Sequence, residues 1–202
     1  MTQVLEQNLT SDLIIRQQAL SLSSADKPRK FSFTEFEQIS DLEMFADQHV
    51  ELLNGEITVK GMQSPRHAYA VQTLDEILKE LLGKKATVAV QLPCILLSPP
   101  PDFVEPDIAL RIPPRSRYAS ENATSADTLL VIEISDKTLH RDQTDKLEAY
   151  ARNAIPEYWI YNLHNNTLEV HQKPRDNLYT LSRVLHPDEA APIMGHSLEW
   201  WV

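Results

Sequence analysis

The 202-residue sequence is almost without cysteine, and Cys94 stands alone. A single thiol cannot close an internal disulfide or supply a cysteine-rich zinc site, so neither device holds this fold, and a reducing compartment fits. Long apolar runs are missing as well. No window approaches the roughly 18 to 20 apolar residues of a membrane span, and Glu6, Asp12 and Arg16 interrupt the N-terminus before a signal peptide's apolar region could form. The expectation is a soluble, cytoplasmic protein with no membrane contact. An excess of positive charge is also absent: 19 Lys and Arg stand against 29 Asp and Glu, a net charge of −10. That balance favours solubility and argues against a broadly basic nucleic-acid-binding surface. A local basic cluster can still act, because acid elsewhere is screened beyond a Debye length of about 8 Å.

What is present suits one domain of ordinary composition, with 42% hydrophobic residues. Residues 1–30 are polar, rich in Gln and Ser, and end in "SSADKPRK", which reads as an arm or tail; residues 31–202 read as the domain proper. "FTEFEQI" offers Thr34 as N-cap with Glu37 three residues on, the capping-box spacing. "VELLNGEITV" reads as a hairpin, since Asn54-Gly55 suits the positive φ of a tight turn. The spacing of Val71, Leu74, Ile77, Leu78 and Leu81 predicts an amphipathic helix, capped by Ser64, opened by Pro65 and stopped by Gly83.

Three strand-like runs follow, "TVAVQL", "CILL" and "EPDIAL", then a polar loop from Pro113 to Asp127. "TLLVIEI" is apolar on both faces and reads as a central strand. Leu147, Tyr150, Ala151 and Ala154 return to helical spacing, and "EYWIYN", "TLEVHQK" and "LYTLSRV" close the chain as a meander. The expected class is α/β or α+β, with a central mixed β-sheet flanked by helices.

Two acids fall on strand-like segments where solvent exposure is least natural: Asp107 in "EPDIAL" and Glu133 in "LVIEIS". On neighbouring strands about 4.8 Å apart, both carboxylates could reach one divalent cation. Two like charges that close need a cation or a shared proton, and Mg²⁺ or Mn²⁺ suits oxygen ligands. The plainer alternative is a strand cap at Asp107 and an ion pair at Glu133. Asp142, Lys146 and Tyr150 recur every four residues, so they form one row on a helix beside Leu147, Ala151 and Ala154. The row places Lys146 at the edge of the core, although an exposed Asp142–Lys146 pair, or Asp142 as a plain N-cap, accounts for the spacing equally.

With "EPDIAL" and "LLVIEISDKTLHRDQTDKLEAYARNAIPEYWIYNL", the chain resembles the Uma-type family of endonucleases, in the PD-(D/E)XK restriction endonuclease-like superfamily. "VELLNGEI" and "SPRH" match the family's opening elements, so the resemblance runs from about Phe31 to Pro192. It implies a restriction endonuclease-like core with a metal at one end of the sheet. By position, Asp107 and Glu133 become metal ligands, the Ile134 carbonyl a further ligand, and Glu51 a carboxylate completing the site. The superfamily motif ends in Glu-x-Lys, but Ser135 stands where that Lys belongs. Lys146 on the following helix is the replacement, with Lys137 the weaker alternative. His67 matches a helix-entry His, read as structural or capping, and Asn153 stands where relatives carry Gly, which touches helix termination.

The expected function is metal-dependent hydrolysis of phosphodiester bonds in DNA, with Mg²⁺ (or Mn²⁺) as cofactor and a homodimer as assembly. A nuclease-fold binding or accessory module without turnover is the rival, motivated by the acidic balance. Hydrolysis of another phosphate ester by the same carboxylates is the third reading. Arg111, Arg115 and Arg117 in "RIPPRSRY" form either a local basic patch or a solvated loop. Tyr158-Trp159 and Trp200-Trp201 read as core or dimer contacts rather than stacking platforms for bases.

Overall fold

The structure, a computed structural model, describes residues 28–46 and 48–200. The arm expected over residues 1–30 lies outside them except for residues 28–30, and so does Trp201. Helix α1 (Phe33–Ser40) begins two residues earlier than the spacing suggested, because Ser32, not Thr34, is its N-cap and closes a capping box with Glu35. Strands β1 (Val50–Leu53) and β2 (Glu56–Val59) form the expected hairpin, with Asn54 and Gly55 at φ 53° and 76°. Helix α2 (Pro65–Leu82) starts under Ser64, whose hydroxyl accepts from the His67 N–H, and ends at Gly83, φ 52°. No N-terminal Glu or Asp supports its first turn, so Pro65 and Ser64 carry the start alone.

Strands β3 (Thr87–Val90) and β4 (Cys94–Leu96) follow, then β5 (Asp102–Val104), β6 (Ile108–Arg111), β7 (Ala123–Thr124) and β8 (Thr128–Ser135). "EPDIAL" is thus not one strand. Pro106 has no N–H to give a ladder, and Asp107 sits in a bend just before β6. β5 was not legible at all, being three residues held between prolines. The polar loop 113–127 carries two short 3₁₀ turns and β7.

The second helical segment comprises α3 (Leu139–Arg141), a π turn (Asp142–Lys146) and α4 (Leu147–Arg152). Asp142 therefore lies inside the helix and is not its N-cap. Ala154 lies beyond the helix in the left-handed region, φ 55°, so the backbone reversal falls one residue after Asn153. Asn153 instead ties the end down: its side chain donates to the Ala149 carbonyl and accepts from the Ser98 N–H at 2.7 Å.

Strands β9 (Glu157–Asn162), β10 (Thr167–Arg175) and β11 (Leu178–Leu185) make the meander, and β12 (Ala191–Ile193) with β13 (His196–Leu198) forms a separate hairpin. A six-stranded mixed sheet runs β11-β10-β9-β8-β6-β3, with β8 parallel to β9 and antiparallel to β6. A five-stranded sheet runs β2-β1-β5-β4-β7.

Both faces of β8 are buried, as its double apolar face predicts. Leu130, Ile132 and Ile134 pack with Val71, Leu74 and Leu78 of α2. Val131, two residues before Glu133, joins Ala149 and Tyr150 of α4 and Leu53, Cys94 and Val104 of the second sheet. Truncating Leu78, fully buried here, to Ala would cost about 2–5 kcal/mol. The two packed faces fix β8 in register, and that register sets where Glu133 points.

Candidate active site

The β6–β8 ladder pairs Ile108 with Ile132, so one step further Asp107 stands beside Glu133 at the end of the sheet. The backbone ties them: the Ile134 N–H donates to Asp107 Oδ2 at 2.9 Å. His67 Nε2 lies 3.0 Å from the same oxygen, and Lys60 Nζ lies 3.9 Å from Oδ1. Burial works against the charged form of Asp107, but the His67 hydrogen bond, Lys60 and the Ile134 N–H together lower its pKa to about 2. Glu133 behaves oppositely. Burial pushes its pKa up to about 7, opposed by Lys146 and reinforced by Asp107 and Asp142. Two neighbouring carboxylates are thus driven apart in proton affinity.

Lys146 faces inward. Its Nζ donates to Glu133 Oε1 at 2.8 Å and lies 3.4 Å from Glu51 Oε1, with the residue only 4% exposed. Burial favours a neutral amine, yet Glu133, Glu51 and Asp142 outweigh it and hold the ammonium charged. An exposed Asp142–Lys146 surface pair is therefore excluded. Glu51, on β1, accepts the Glu105 N–H at 3.0 Å, and Lys146, Lys60 and Arg141 more than offset its burial, lowering its pKa. Ser135 and Thr138 each donate to Asp142 Oδ2 at 2.6 Å, while the Tyr158 hydroxyl donates to the Asp142 carbonyl at 3.1 Å. Ser135 replaces no cation; it anchors the π turn to the end of β8. The turn is a local departure from α geometry of the kind often found at functional sites.

Glu51, Asp107, Glu133, Ile134 and Lys146 all line one cleft of about 520 Å³. Its walls come from β1, β2, the start of α2, the end of β8 and the π turn. The family described as "Putative restriction endonuclease", Uma2, matches residues 33–202. The chain belongs to the Uma2 family. Among solved structures, the crystal structure of a "putative nuclease belonging to DUF820" from Anabaena variabilis is similar in fold, with a TM-score of 0.61 and 18% identity. The similarity covers 81% of this chain and 89% of that one. No curated protein matches the chain. Family and fold together support a nuclease, and no helix among the described residues is long and apolar enough to cross a membrane.

In this Uma2 protein the cleft holds cations that the sequence pattern did not reveal. Lys60 follows β2 directly and donates to the Glu105 carbonyl at 2.6 Å. Arg141 Nη1 lies 3.4 Å from Glu51 Oε2. His67 is not a helix cap: its backbone, not its ring, meets Ser64, and its ring meets Asp107. Burial disfavours its imidazolium, but the Asp107 hydrogen bond and charge prevail and raise its pKa. Only the order "ITVKG" before "SPRH" could have hinted that Lys60 and His67 flank one opening.

Lys137 also lines the cleft but is exposed, without the buried contacts of Lys146. The arginines do not form a patch at the site. Arg111 is buried and donates to the Leu92 and Pro93 carbonyls, Arg117 pairs with Asp127 at 2.8 Å, and neither they nor Arg115 line the cleft. Trp159 and Trp200 are core residues.

Among the described residues no three His, Cys, Asp or Glu side chains converge tightly enough to enclose an ion. The donors are nonetheless of the right kind for a hard cation that keeps much of its water and takes one or two carboxylates. Glu51 Oε2 is buried without a hydrogen bond, and both hydrogen bonds to Glu133 fall on Oε1.

Proposed function

We propose that this protein is a metal-dependent endonuclease that hydrolyses phosphodiester bonds in DNA, with Mg²⁺ or Mn²⁺ held by Asp107 and Glu133. The observation that carries this reading is the meeting of Glu51, Asp107, Glu133 and Lys146, from four separate segments, in one cleft. The Ile134 carbonyl is the further ligand, and Glu51, with its unsatisfied oxygen, completes the carboxylate set. The bound ion supplies acidity to a water and neutralises phosphate charge. His67 and the Ile134 N–H orient Asp107 by holding its Oδ2.

Lys146 keeps its proton and offsets charge developing on the phosphoryl oxygens, held in line by Glu133 and Glu51. Lys60 and Arg141 bring to the cleft wall the positive charge that the chain's overall balance of −10 lacks. A homodimer would present two such clefts to two strands.

The test is nicking of supercoiled plasmid in Mg²⁺, Mn²⁺ or chelator by wild type and by Asp107→Ala/Glu133→Ala. Metal-dependent nicking by wild type alone is expected, with both proteins showing a cooperative melt. Equal nicking by the double variant sinks the reading. Duplex binding without nicking in any metal would instead support the accessory-module reading, which the acidic balance favours.

A further inference from the structure

Glu133 receives two hydrogen bonds, and both end on the same oxygen. Lys146 Nζ reaches Oε1 at 2.8 Å, and the Tyr150 hydroxyl reaches it at 2.7 Å. Among the described residues nothing donates to Oε2. The two donors differ in stiffness. Lys146 hangs on four rotatable bonds, whereas Tyr150 has two and is fully buried. It belongs to the buried cluster that holds Val131, Ala149, Ile155 and Ile160, and its ring stands edge-on to Tyr158 with centroids 4.9 Å apart. A Phe would fill the same space without the cost of burying a hydroxyl, so the oxygen at this position has its return in the bond to Glu133.

We propose that Tyr150 is a positioning residue of the cation site: its hydroxyl commits Oε1 of Glu133 and so turns Oε2 toward the cleft. This rests on the cation reading given above. Tyr150 touches neither cation nor substrate; it selects which carboxylate oxygen is offered.

The experiment measures Mn²⁺ affinity by calorimetry, without nucleic acid, for wild type, Tyr150→Phe and Tyr161→Phe. Tyr161 is the control, because the residue is also fully buried and loses a hydroxyl bonded to Asn166, outside the cleft. Tyr150→Phe should bind Mn²⁺ about 10- to 100-fold more weakly, the usual loss for a group supporting a metal ligand. Tyr161→Phe should match wild type.

Unchanged affinity in Tyr150→Phe, or an equal loss in both variants, overturns the proposal. Failure of wild type itself to bind Mn²⁺ overturns the cation reading and this proposal with it. If Tyr150→Phe does not fold, wild type labelled with fluorotyrosine reports the same contact. The Tyr150 fluorine resonance should move on adding Mg²⁺ while that of Tyr161 stays, and a stationary Tyr150 signal overturns the proposal.

Discussion

Neighbouring strands β1 and β5 each bury one acid against a base from the second helical segment, and the two pairs end differently. Asp102 is closed: Oδ1 accepts the Asn54 N–H at 2.8 Å and Oδ2 accepts Arg152 Nη2 at 2.9 Å. None of these three residues lines the cleft. Glu51 is open: Oε1 takes the Glu105 N–H, while Oε2 is left without a hydrogen bond, with Arg141 at 3.4 Å. A buried acceptor left unsatisfied costs free energy, so a structural pair tends toward closure. The sheet builds both kinds side by side, and of these two acids the one with spare acceptor capacity is the one on the cleft.

Several changes would break or sharpen that contrast. Asp107→Ala or Glu133→Ala alone should reduce metal-dependent nicking of plasmid to background. Lys146→Met should slow single-turnover cleavage by about 10²- to 10³-fold, the scale for losing one group that offsets transition-state charge. Asp102→Asn, by contrast, should leave that rate at wild type per folded molecule; a comparable fall would erase the distinction between the pairs.

Stability should respond the other way. Asp102→Ala removes one partner of a buried pair and should cost about 2–4 kcal/mol in urea unfolding, toward the lower end because the Arg152 side chain is 21% exposed.

For Glu133, folding raises the pKa from 4.5 to about 7, so the folded state holds its proton more tightly than the unfolded chain. This contribution is fully present below pH 4.5 and lost as pH rises through about 7. The melting temperature of metal-free wild type should therefore fall relative to Glu133→Gln across that window, and added Mn²⁺ should restore it. The smallest effect belongs to Arg117→Ala, which opens an exposed pair with Asp127 and should change stability by less than about 1 kcal/mol.

The parts of the fold read correctly from sequence are those set by neighbours in the chain. Ser64, Pro65 and Gly83 punctuate α2, and Asn54-Gly55 turns the hairpin, because cap and turn chemistry act within a few residues. The apolar faces of "TLLVIEI" likewise announced a strand buried on both sides. At the site, residue type was legible and partnership was not. Asp107 and Glu133 stood out as acids in apolar company. Whether Lys146 faced in depended on the π turn, on Ser135 and Thr138 gripping Asp142, and on Tyr158 from β9, none of which leaves a local signal. Arg111 looked like surface charge in "RIPPRSRY" but is consumed by two backbone carbonyls brought from the β3–β4 connection.

The π turn also carries one residue more than a plain α-helix needs to follow the same path. Each residue of an α-helix turns its side chain about 100° around the axis. If the same residues wound as plain α-helix, everything after them would be rotated by about that angle relative to Asp142. Lys146 and Tyr150 would leave Glu133 together, swung like two teeth on one gear, while every residue type at the site remained. Deleting one of Gln143, Thr144 or Asp145 would instead let plain α-helix run through with the later side chains close to their present angle. For Asp142–Lys146 the chain encodes an angle as well as a set of side chains.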